Sequence, residues 1–374
     1  QKKMLVALPE THWRTRANLH RQRVAQLLRP GFIGHDPGTA PDGDSHELRA
    51  LDGDHAVFNF LQQYYHIKGT KGPRRLARWS PPLADIGGVL LEGGTVDDLA
   101  SLLHLRAATL HKSGILYDPA AHFREAAAAA ATPFVWYRDV LRATREREPI
   151  FHCFGLHEWA MQYRPAGEPP PPSAQYQQGS MPLRVTQHVI NEVVERRGIS
   201  CTHVDALRFF APAAAPLNHH GRFLDREQQL SLEQPGCVHA HMDLLKIALR
   251  LTPWIEGELV ADALEVALAA RSLDVAASPY DARKFGLAPV KVETTAGRHE
   301  YRRQQEALMK RAAPLRAALL QAYEIFLLAA FGDVRVSHAA ANPQPERYAI
   351  ATPGGQPWRH SLISQGRNGE LQSQ

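Results

Sequence analysis

Two apolar stripes in the second half of the chain constrain the fold more than any other feature. The first consists of Ile255, Leu259, Ala263, Val266, Ala270 and Leu273, and the second of Leu308, Ala312, Leu315, Leu319, Ala322, Phe326 and Ala329. Steps of three and four residues place each set on one face of an α-helix. Pro314 lies inside the second stripe and predicts a kink or a restart. We therefore expect a mainly α fold with a few short strands, built as one large helical body, either undivided or two-lobed.

Breaks in this helical pattern divide the chain into five segments. Residues 169–172 are consecutive prolines, which enforce an extended backbone in the middle of the chain. We predict a basic helix and a loop at 1–53, a helical lobe at 54–164, a proline-rich linker or loop at 165–182, a helical lobe with the main polar cluster at 183–331, and a polar tail at 332–374.

Local patterns predict the individual elements. Helices are predicted over 9–29, 57–65, 120–147, 156–164 and 185–197, and from about residue 240. Gly198 is a typical C-terminal stop for the helix before it. Strands or extended segments are predicted at 89–91, 199–210 and 290–294.

The net charge permits a nucleic-acid partner without favouring one. The chain has 43 Lys and Arg residues against 38 Asp and Glu residues, and its formal net charge is +5. DNA-binding proteins usually concentrate such an excess in one stripe. Here the basic runs at 142–147 and 298–311 are interleaved with Glu, which is typical of solvated helix faces.

Cysteine usage and hydropathy argue against the secreted and membrane classes. The three cysteines lack close spacing, which indicates a reducing compartment and no disulfide scaffold. No run approaches the roughly 18 apolar residues that a membrane helix needs. We expect a soluble protein of the cytoplasm, or of a plastid after removal of a targeting segment.

The densest group of chemically active residues lies at 233–243. If a helix already includes His239, then Asp243 follows one turn later on the same face. This pair could orient an imidazole for base catalysis or place two ligands on one divalent metal ion. If the segment is extended, Cys237, His239 and His241 point to one side. The alternative is that His239 and Asp243 only cap the helix.

A second group lies at 151–159, where we interpret His152 as structural and keep His157 and Glu158 as candidates. The spacing is not the His-Glu-x-x-His zinc signature, because no second histidine follows at the required position. Over both groups, the candidate metal ligands are His157, His239, His241 and Asp243, and the candidate catalytic residues are His239, Asp243 and Glu158.

Two further groups predict anion binding or internal pairing. Arg208 has apolar neighbours, and a buried guanidinium needs a carboxylate or a phosphate. Asn218 and His220 offer donors in a loop that would suit a small anionic ligand. Alternatively, Arg208 pairs with an aspartate, one of Asp205, Asp243 and Asp274. In the last group, Arg271 and Asp274 can pair at i,i+3 before a turn that holds Tyr280, a further substrate-binding candidate.

Common catalytic motifs are absent from the sequence. It has no glycine-rich phosphate loop, no dinucleotide-binding fingerprint, no Gly-x-Ser-x-Gly and no Cys-x-x-Cys. It also lacks the Leu-Pro-Gly-Val-Gly hairpin of helix-hairpin-helix glycosylases. Nucleotide-dependent enzymes and serine hydrolases of the common folds are therefore not indicated.

Four phrases nevertheless resemble a family found in bacteria and photosynthetic lineages, whose members are commonly labelled 3-methyladenine DNA glycosylase. The phrases are Phe151-His-Cys-Phe-Gly-Leu-His-Glu-Trp-Ala160, His203-Val-Asp-Ala-Leu-Arg-Phe-Phe-Ala-Pro212, Glu233-Gln-Pro-Gly-Cys-Val-His-Ala-His-Met-Asp-Leu244 and Asp274-Val-Ala-Ala-Ser-Pro-Tyr-Asp281. The resemblance covers roughly residues 54–330.

The family label implies hydrolysis of the N-glycosidic bond of a methylated purine in DNA. Such an enzyme flips the damaged nucleobase out and stacks it between aromatic side chains. The stacking residues would be Trp159, Tyr163 and Phe209, and the carboxylate would come from Glu158 or Asp243.

Two other functions remain open. One is a metal- or anion-dependent enzyme acting on a small anionic metabolite, in which Arg208 and His220 bind the anion and His239 and Asp243 act as acid, base or metal ligands. The other is a non-enzymatic accessory or assembly subunit, whose histidines and arginines are structural.

Overall fold

The computed structural model describes residues 5–29, 48–82, 88–101, 108–123, 128–171, 181–222 and 224–332. Its architecture is mainly α with one small sheet, which confirms the predicted fold class. All described residues belong to one compact unit. The predicted polar tail, apart from Gly332, and most of the predicted loop before residue 54 lie outside the described residues.

The helices follow the predicted order along the chain. They are α1 (Glu10–Leu27), α2 (Ala56–Tyr64), α3 (Lys71–Leu76), α4 (Val96–Ser101), α5 (Pro119–Phe123), α6 (Thr132–Glu146), α7 (Leu156–Ala160), α8 (Gln187–Arg197), α9 (Val204–Leu207), α10 (Gln229–Leu232), α11 (Val238–Leu251), α12 (Gly257–Ala277) and α13 (Thr295–Phe331). Gly198 ends α8 with a positive φ of 66°, as its sequence position predicts.

The core is built on α11, α12 and α13, which pack against one another. α12 is buried on most of its surface, because α1, α2, α11 and α13 all cover it. α13 packs against α5 and α6 as well, and it continues through Pro314 without a restart. The two stripes predicted from the sequence are therefore the buried faces of α12 and α13.

A four-stranded sheet lies beside this helical core. Its strands are β1 (Val6–Leu8), β2 (Val89–Glu92), β3 (Ala108–His111) and β4 (Gly114–Tyr117), in the order β1-β2-β4-β3. β1 and β2 are parallel, and the other two pairs are antiparallel. Trp13 of α1 donates its indole N–H to the carbonyl of Glu92 at 3.0 Å, which fixes α1 to the sheet. The strand predicted at 89–91 is confirmed as β2.

The two other predicted strands do not form. Residues 199–210 make only an isolated bridge between Ile199 and Asn218, and then turn into α9. The segment 290–294 contains a turn instead of a strand, and its last residue, Thr294, is the N-terminal cap of α13. The predicted helix over 120–147 is divided into α5, a 3₁₀ turn at Ala128–Ala131 and α6.

One described helix, α13, is long and apolar enough to cross a membrane by length and composition. Its most apolar window has a mean hydropathy of 1.3, and 44% of that window is buried inside the protein. A buried core helix passes the same test, and α13 packs against four other helices. This feature is therefore weak evidence for a membrane span.

Candidate functional site

A closed ring of contacting polar and aromatic side chains surrounds the start of α11. Taken in order of contact, its members are His157, His239, His203, Asp243, Lys246, Asp205, Tyr64, Phe60, Arg271 and Asp274. They come from α2, α7, α11, α12 and the start of α9. We call this set the histidine–carboxylate ring.

His157 and Asp274 form the first buried pair of the ring. The Nε2 atom of His157 donates to Asp274 Oδ1 at 2.6 Å, and both side chains are fully buried. Burial disfavours the charged imidazolium, but the charges of Asp274 and Cys153 outweigh it, so the pKa of His157 lies well above its ordinary value. The pKa of Asp274 is lowered, because its cationic neighbours outweigh burial. Each group of the pair therefore favours the charged form of the other.

Arg271 links this pair to a second carboxylate. Its guanidinium contacts Asp274 and Glu158 at 2.5 Å each, with all three side chains at most 5% exposed. The predicted pairing of Arg271 with Asp274 is confirmed, and Glu158 is an additional partner. The candidate carboxylate of Glu158 is thus held in a buried ion pair, and burial raises its pKa.

His203 and Asp243 form the second buried pair. His203 Nε2 lies 3.3 Å from Asp243 Oδ2, and Lys246 lies 3.5 Å from the same oxygen. Burial opposes the charge on His203, but the hydrogen bond to Asp243 raises its pKa. The segment around His239 is helical from Val238 onward, so the extended alternative is wrong.

His239 lies between these two pairs. Its ring centroid is 4.3 Å from that of His157 and 4.9 Å from that of His203. Burial and the positive charges of both neighbours lower the pKa of His239 well below its ordinary value. Its Nδ1 atom has no hydrogen-bond partner among the described residues. The ring therefore holds one imidazole with a lowered pKa between two imidazoles with raised pKa values.

Four members of the ring are partly exposed, namely Phe60, Tyr64, His239 and Lys246. The rings of Phe60 and Tyr64 stack with centroids 5.0 Å apart, and the hydroxyl of Tyr64 donates to Asp205 at 2.7 Å. These four side chains connect the buried acid–base groups to solvent.

Three cations surround Asp205 on this side. Lys246 lies 3.1 Å and Arg226 lies 3.4 Å from its carboxylate, and Arg208 lies 4.0 Å away. Burial opposes ionisation of Asp205, but the cations outweigh it and lower its pKa. Arg208 is 40% exposed, so the prediction of a buried guanidinium is wrong. Its partner is Asp205, one of the three predicted alternatives.

The remaining candidate substrate-binding residues make contacts within the protein. Asn218 uses its side chain to hold the backbone of Cys201 and Gly221, at 2.8 to 3.1 Å. Trp159 is fully buried and donates to the carbonyl of Ala277 at 2.9 Å. His220 lies 3.2 Å from the hydroxyl of Ser200.

The other aromatic candidates make internal contacts as well. Tyr280 is 2% exposed and accepts a hydrogen bond from Gln162 at 2.6 Å. The hydroxyl of Tyr163 donates to Glu195 at 3.0 Å. Phe209 is half-buried, and the guanidinium of Arg208 covers its ring at 4.7 Å.

Two groups within this region have metal-ligand spacing. His157, His239 and Asp274 form one, and His203, Glu233 and Asp243 form the other, each with potential ligand atoms within 4.8 Å. Three of the four metal ligands predicted from the sequence belong to these groups, His157 and His239 to the first and Asp243 to the second. His241 belongs to neither, because its Nδ1 faces the guanidinium of Arg316 at 3.3 Å. In the first group, Asp274 already binds His157 and Arg271.

Comparisons with family models, curated proteins and solved structures found no match to this chain. The function is therefore inferred from the geometry of the ring.

Proposed function

We propose that the protein is an enzyme that performs acid–base chemistry on a small aromatic anion at the histidine–carboxylate ring. The observation that carries this proposal is the position of the partly exposed His239 against His157 and His203, each of which is held by a buried carboxylate. Strongly shifted pKa values on neighbouring groups are typical of catalytic sites. A purely structural cluster has no need of an imidazole whose Nδ1 is left without a partner.

His239 and His203 divide the work of proton transfer. His239, whose pKa is lowered, accepts a hydrogen bond or a proton from a water molecule or a substrate hydroxyl. His203, whose pKa is raised, is the proton donor, and Asp243 holds its orientation. A base and an acid placed side by side are what hydrolysis of a polar bond requires.

The open side of the ring indicates the class of substrate. Phe60 and Tyr64 offer partly exposed aromatic surface within the ring, and stacking suits a planar ligand. Three positive charges, those of Lys246, Arg226 and Arg208, surround the one negative charge of Asp205. Asp243 is already paired with His203. The surplus positive charge favours a substrate that carries a phosphate or a carboxylate.

Cleavage of a methylated purine from DNA is a second candidate, favoured by the same aromatic pair. Tyr64 would stack on the flipped nucleobase in place of the buried Trp159. Release of 3-methyladenine from alkylated DNA, measured by chromatography, tests it. If the protein cleaves nucleotides and leaves alkylated DNA intact, this candidate fails and the small-molecule proposal stands.

The experiment that tests the main proposal compares His239→Ala with His188→Ala, which removes an exposed imidazole from α8. Native mass spectrometry and elemental analysis first establish whether a ligand or a metal co-purifies. Calorimetry then measures binding of nucleoside monophosphates and aromatic carboxylates, and hydrolysis is followed with any compound that binds. We expect His239→Ala to lower turnover by about 100-fold or more while circular dichroism is unchanged.

Equal binding and equal turnover in the two variants would contradict the proposal. If His239→Ala and His188→Ala bind and turn over alike, the ring is a structural network. If neither the wild type nor any variant binds these compounds and intact partners co-purify instead, the accessory-subunit hypothesis is favoured.

A further inference from the structure

Cys153 lies on the side of His157 opposite Asp274. Its Sγ atom is 3.4 Å from His157 Nδ1, while Nε2 of the same ring contacts Asp274 at 2.6 Å. One imidazole therefore connects a thiol to a carboxylate through its two nitrogens. This order of nucleophile, base and orienting acid is the arrangement that activates a cysteine for covalent catalysis.

The backbone beyond Cys153 is strained. Phe154 has a φ of 48° and Gly155 a φ of 69°, two consecutive left-handed residues directly before α7. A non-glycine residue in this region is uncommon and is retained where the surrounding structure enforces it. The turn holds the thiol one helical turn before His157. Cys153 is partly exposed, whereas Cys201 and Cys237 are buried.

The surroundings distinguish Cys153 from the other two cysteines because, of the three, it alone contacts His157 among the described residues. A hydrogen bond from the Cys201 thiol, the charge of His157 and the N–H of Gly155 outweigh burial and hold the pKa of Cys153 well below its ordinary value. The pKa values of Cys201 and Cys237 are raised. The ionisable side chains that interact with Cys153 are His157, Cys201, Cys237, His220 and Tyr301, and Asp274 acts through His157.

Tyr301 provides an unused donor beside this thiol. Its side chain is fully buried, and its hydroxyl has no hydrogen-bond partner among the described residues. A methyl group placed on Gly155 would lie 3.7 Å from that hydroxyl, so the oxygen faces the strained turn. Burial raises the pKa of Tyr301 well above its ordinary value, which keeps the donor proton in place. A buried donor without an acceptor indicates a ligand atom that supplies one.

We propose that Cys153 is a catalytic nucleophile, with His157 as its acid–base partner, Asp274 as the positioning residue and Tyr301 as the donor to the substrate oxygen. The substrate class is an acyl compound, that is, an ester, a thioester or an amide. The nucleophile lies beside the acid–base function proposed for His239, whose ring contacts the ring of His157.

The reaction balances without a co-reactant other than water. The thiolate attacks the carbonyl carbon, a C–S bond forms, and the π electrons move to the oxygen, which accepts a hydrogen bond from Tyr301. Collapse breaks the bond to the leaving group, which takes the proton of His157. His157 then accepts a proton from water, the resulting hydroxide attacks the thioester, and the C–S bond breaks. The acid leaves, and the thiolate and the imidazolium are restored.

The test is alkylation of the full chain by iodoacetamide between pH 5 and pH 9, with peptide mapping of the labelled cysteine. We expect Cys153 to be labelled first, at pH 6 roughly 10-fold faster than free cysteine, because its thiolate is already formed. The rate should be nearly independent of pH. Labelling of wild-type Cys153 with a midpoint near pH ~8.5, the ordinary value for a thiol, would overturn the proposal, as would earlier labelling of Cys201 or Cys237.

A substrate probe separates a nucleophile from a merely acidic thiol. With p-nitrophenyl acetate we expect a burst of about one equivalent of p-nitrophenolate and an acetyl group on Cys153. Cys153→Ser should abolish the burst, while Cys237→Ser, a matched variant of a buried thiol that makes no hydrogen bond to Cys153, should retain it. No burst from the wild type, or the same burst from Cys153→Ser, overturns the proposal.

The failure of one proposal can be told from the failure of the other. His157→Gln should return the alkylation of Cys153 to an ordinary thiol profile. His239→Ala should leave that alkylation unchanged, even though we expect it to abolish turnover of the aromatic anion. If His239→Ala keeps turnover and Cys153 stays hyper-reactive, the function proposed for His239 fails and the nucleophile stands.

Discussion

Arg271 is the residue on which the buried side of the ring depends most. It contacts Glu158 and Asp274 at 2.5 Å each, and its side chain is 5% exposed. Two carboxylates in a buried environment repel each other and lack water, so a guanidinium between them offsets both effects. Replacing a buried partner leaves uncompensated charge, which is costlier than the loss of an exposed ion pair.

Arg271→Met should therefore destabilise the protein by about 3–5 kcal/mol. The matched control is Arg302→Met on α13, where the arginine is 56% exposed and pairs with Glu306. That change should cost less than about 1 kcal/mol. Urea unfolding of both variants measures the difference, and equal costs would show that the Arg271 network is not stabilising.

At the scale of elements, α13 depends on a well-defined start. The Oγ1 atom of Thr294 accepts a hydrogen bond from the N–H of Gly297 at 3.0 Å, which satisfies one free donor of the first turn. Gly297 itself is required by close approach, because a methyl group there would lie 1.9 Å from the carbonyl oxygen of Lys291. The loop after α12 and the first turn of α13 thus fit together only with a glycine at this position.

Thr294→Ala should cost about 1 kcal/mol of the free energy of unfolding, because it removes the cap but no apolar contact with the core. Thr294→Ser keeps the hydroxyl and should stay within a few tenths of a kcal/mol of the wild type. Chemical denaturation compares the two variants. An equal loss in both would show that the methyl group of Thr294, rather than its oxygen, is what matters.

At the scale of the whole molecule, buried histidines set the pH range of maximal stability. Burial lowers the pKa values of His20, His239 and His241, so the unfolded chain binds their protons more tightly. Their contribution is complete above pH ~6.5 and is lost as the pH falls. The pKa values of His157 and His203 are raised, so the stabilisation from their ion pairs is complete below pH ~6.5 and is lost at higher pH.

The free energy of unfolding should therefore be highest near pH ~6.5 and should fall on both sides. Each histidine with a lowered pKa adds up to about 1.4 kcal/mol per pH unit to the loss on the acidic side. His20→Gln can keep the contact with the carbonyl of Leu76. It should reduce the slope on the acidic side by the contribution of one histidine. His188→Gln, at an exposed position, should leave it unchanged. Urea midpoints from pH 5 to pH 9 test this, and a flat profile would contradict it.

Much of the fold follows from the sequence, because helical periodicity is a local property. The stripes from Ile255 to Leu273 and from Leu308 to Ala329 predicted α12 and α13, and Gly198 predicted the end of α8. The strands expected at 199–210 and 290–294 were wrong, because capping and tertiary contacts outweigh the weak alternation of short segments.

The sequence also predicted which segments meet in the ring, since the phrases around His157, His239 and Asp274 all contribute side chains to it. Only the tertiary structure decided the partners. His157 meets an aspartate 117 residues away, Cys153 joins the same imidazole, and Tyr64 of a helix without catalytic signals completes the open side. The physical reason is that spacing along a helix defines one face of that helix, whereas ion pairs between helices depend on how those faces pack together.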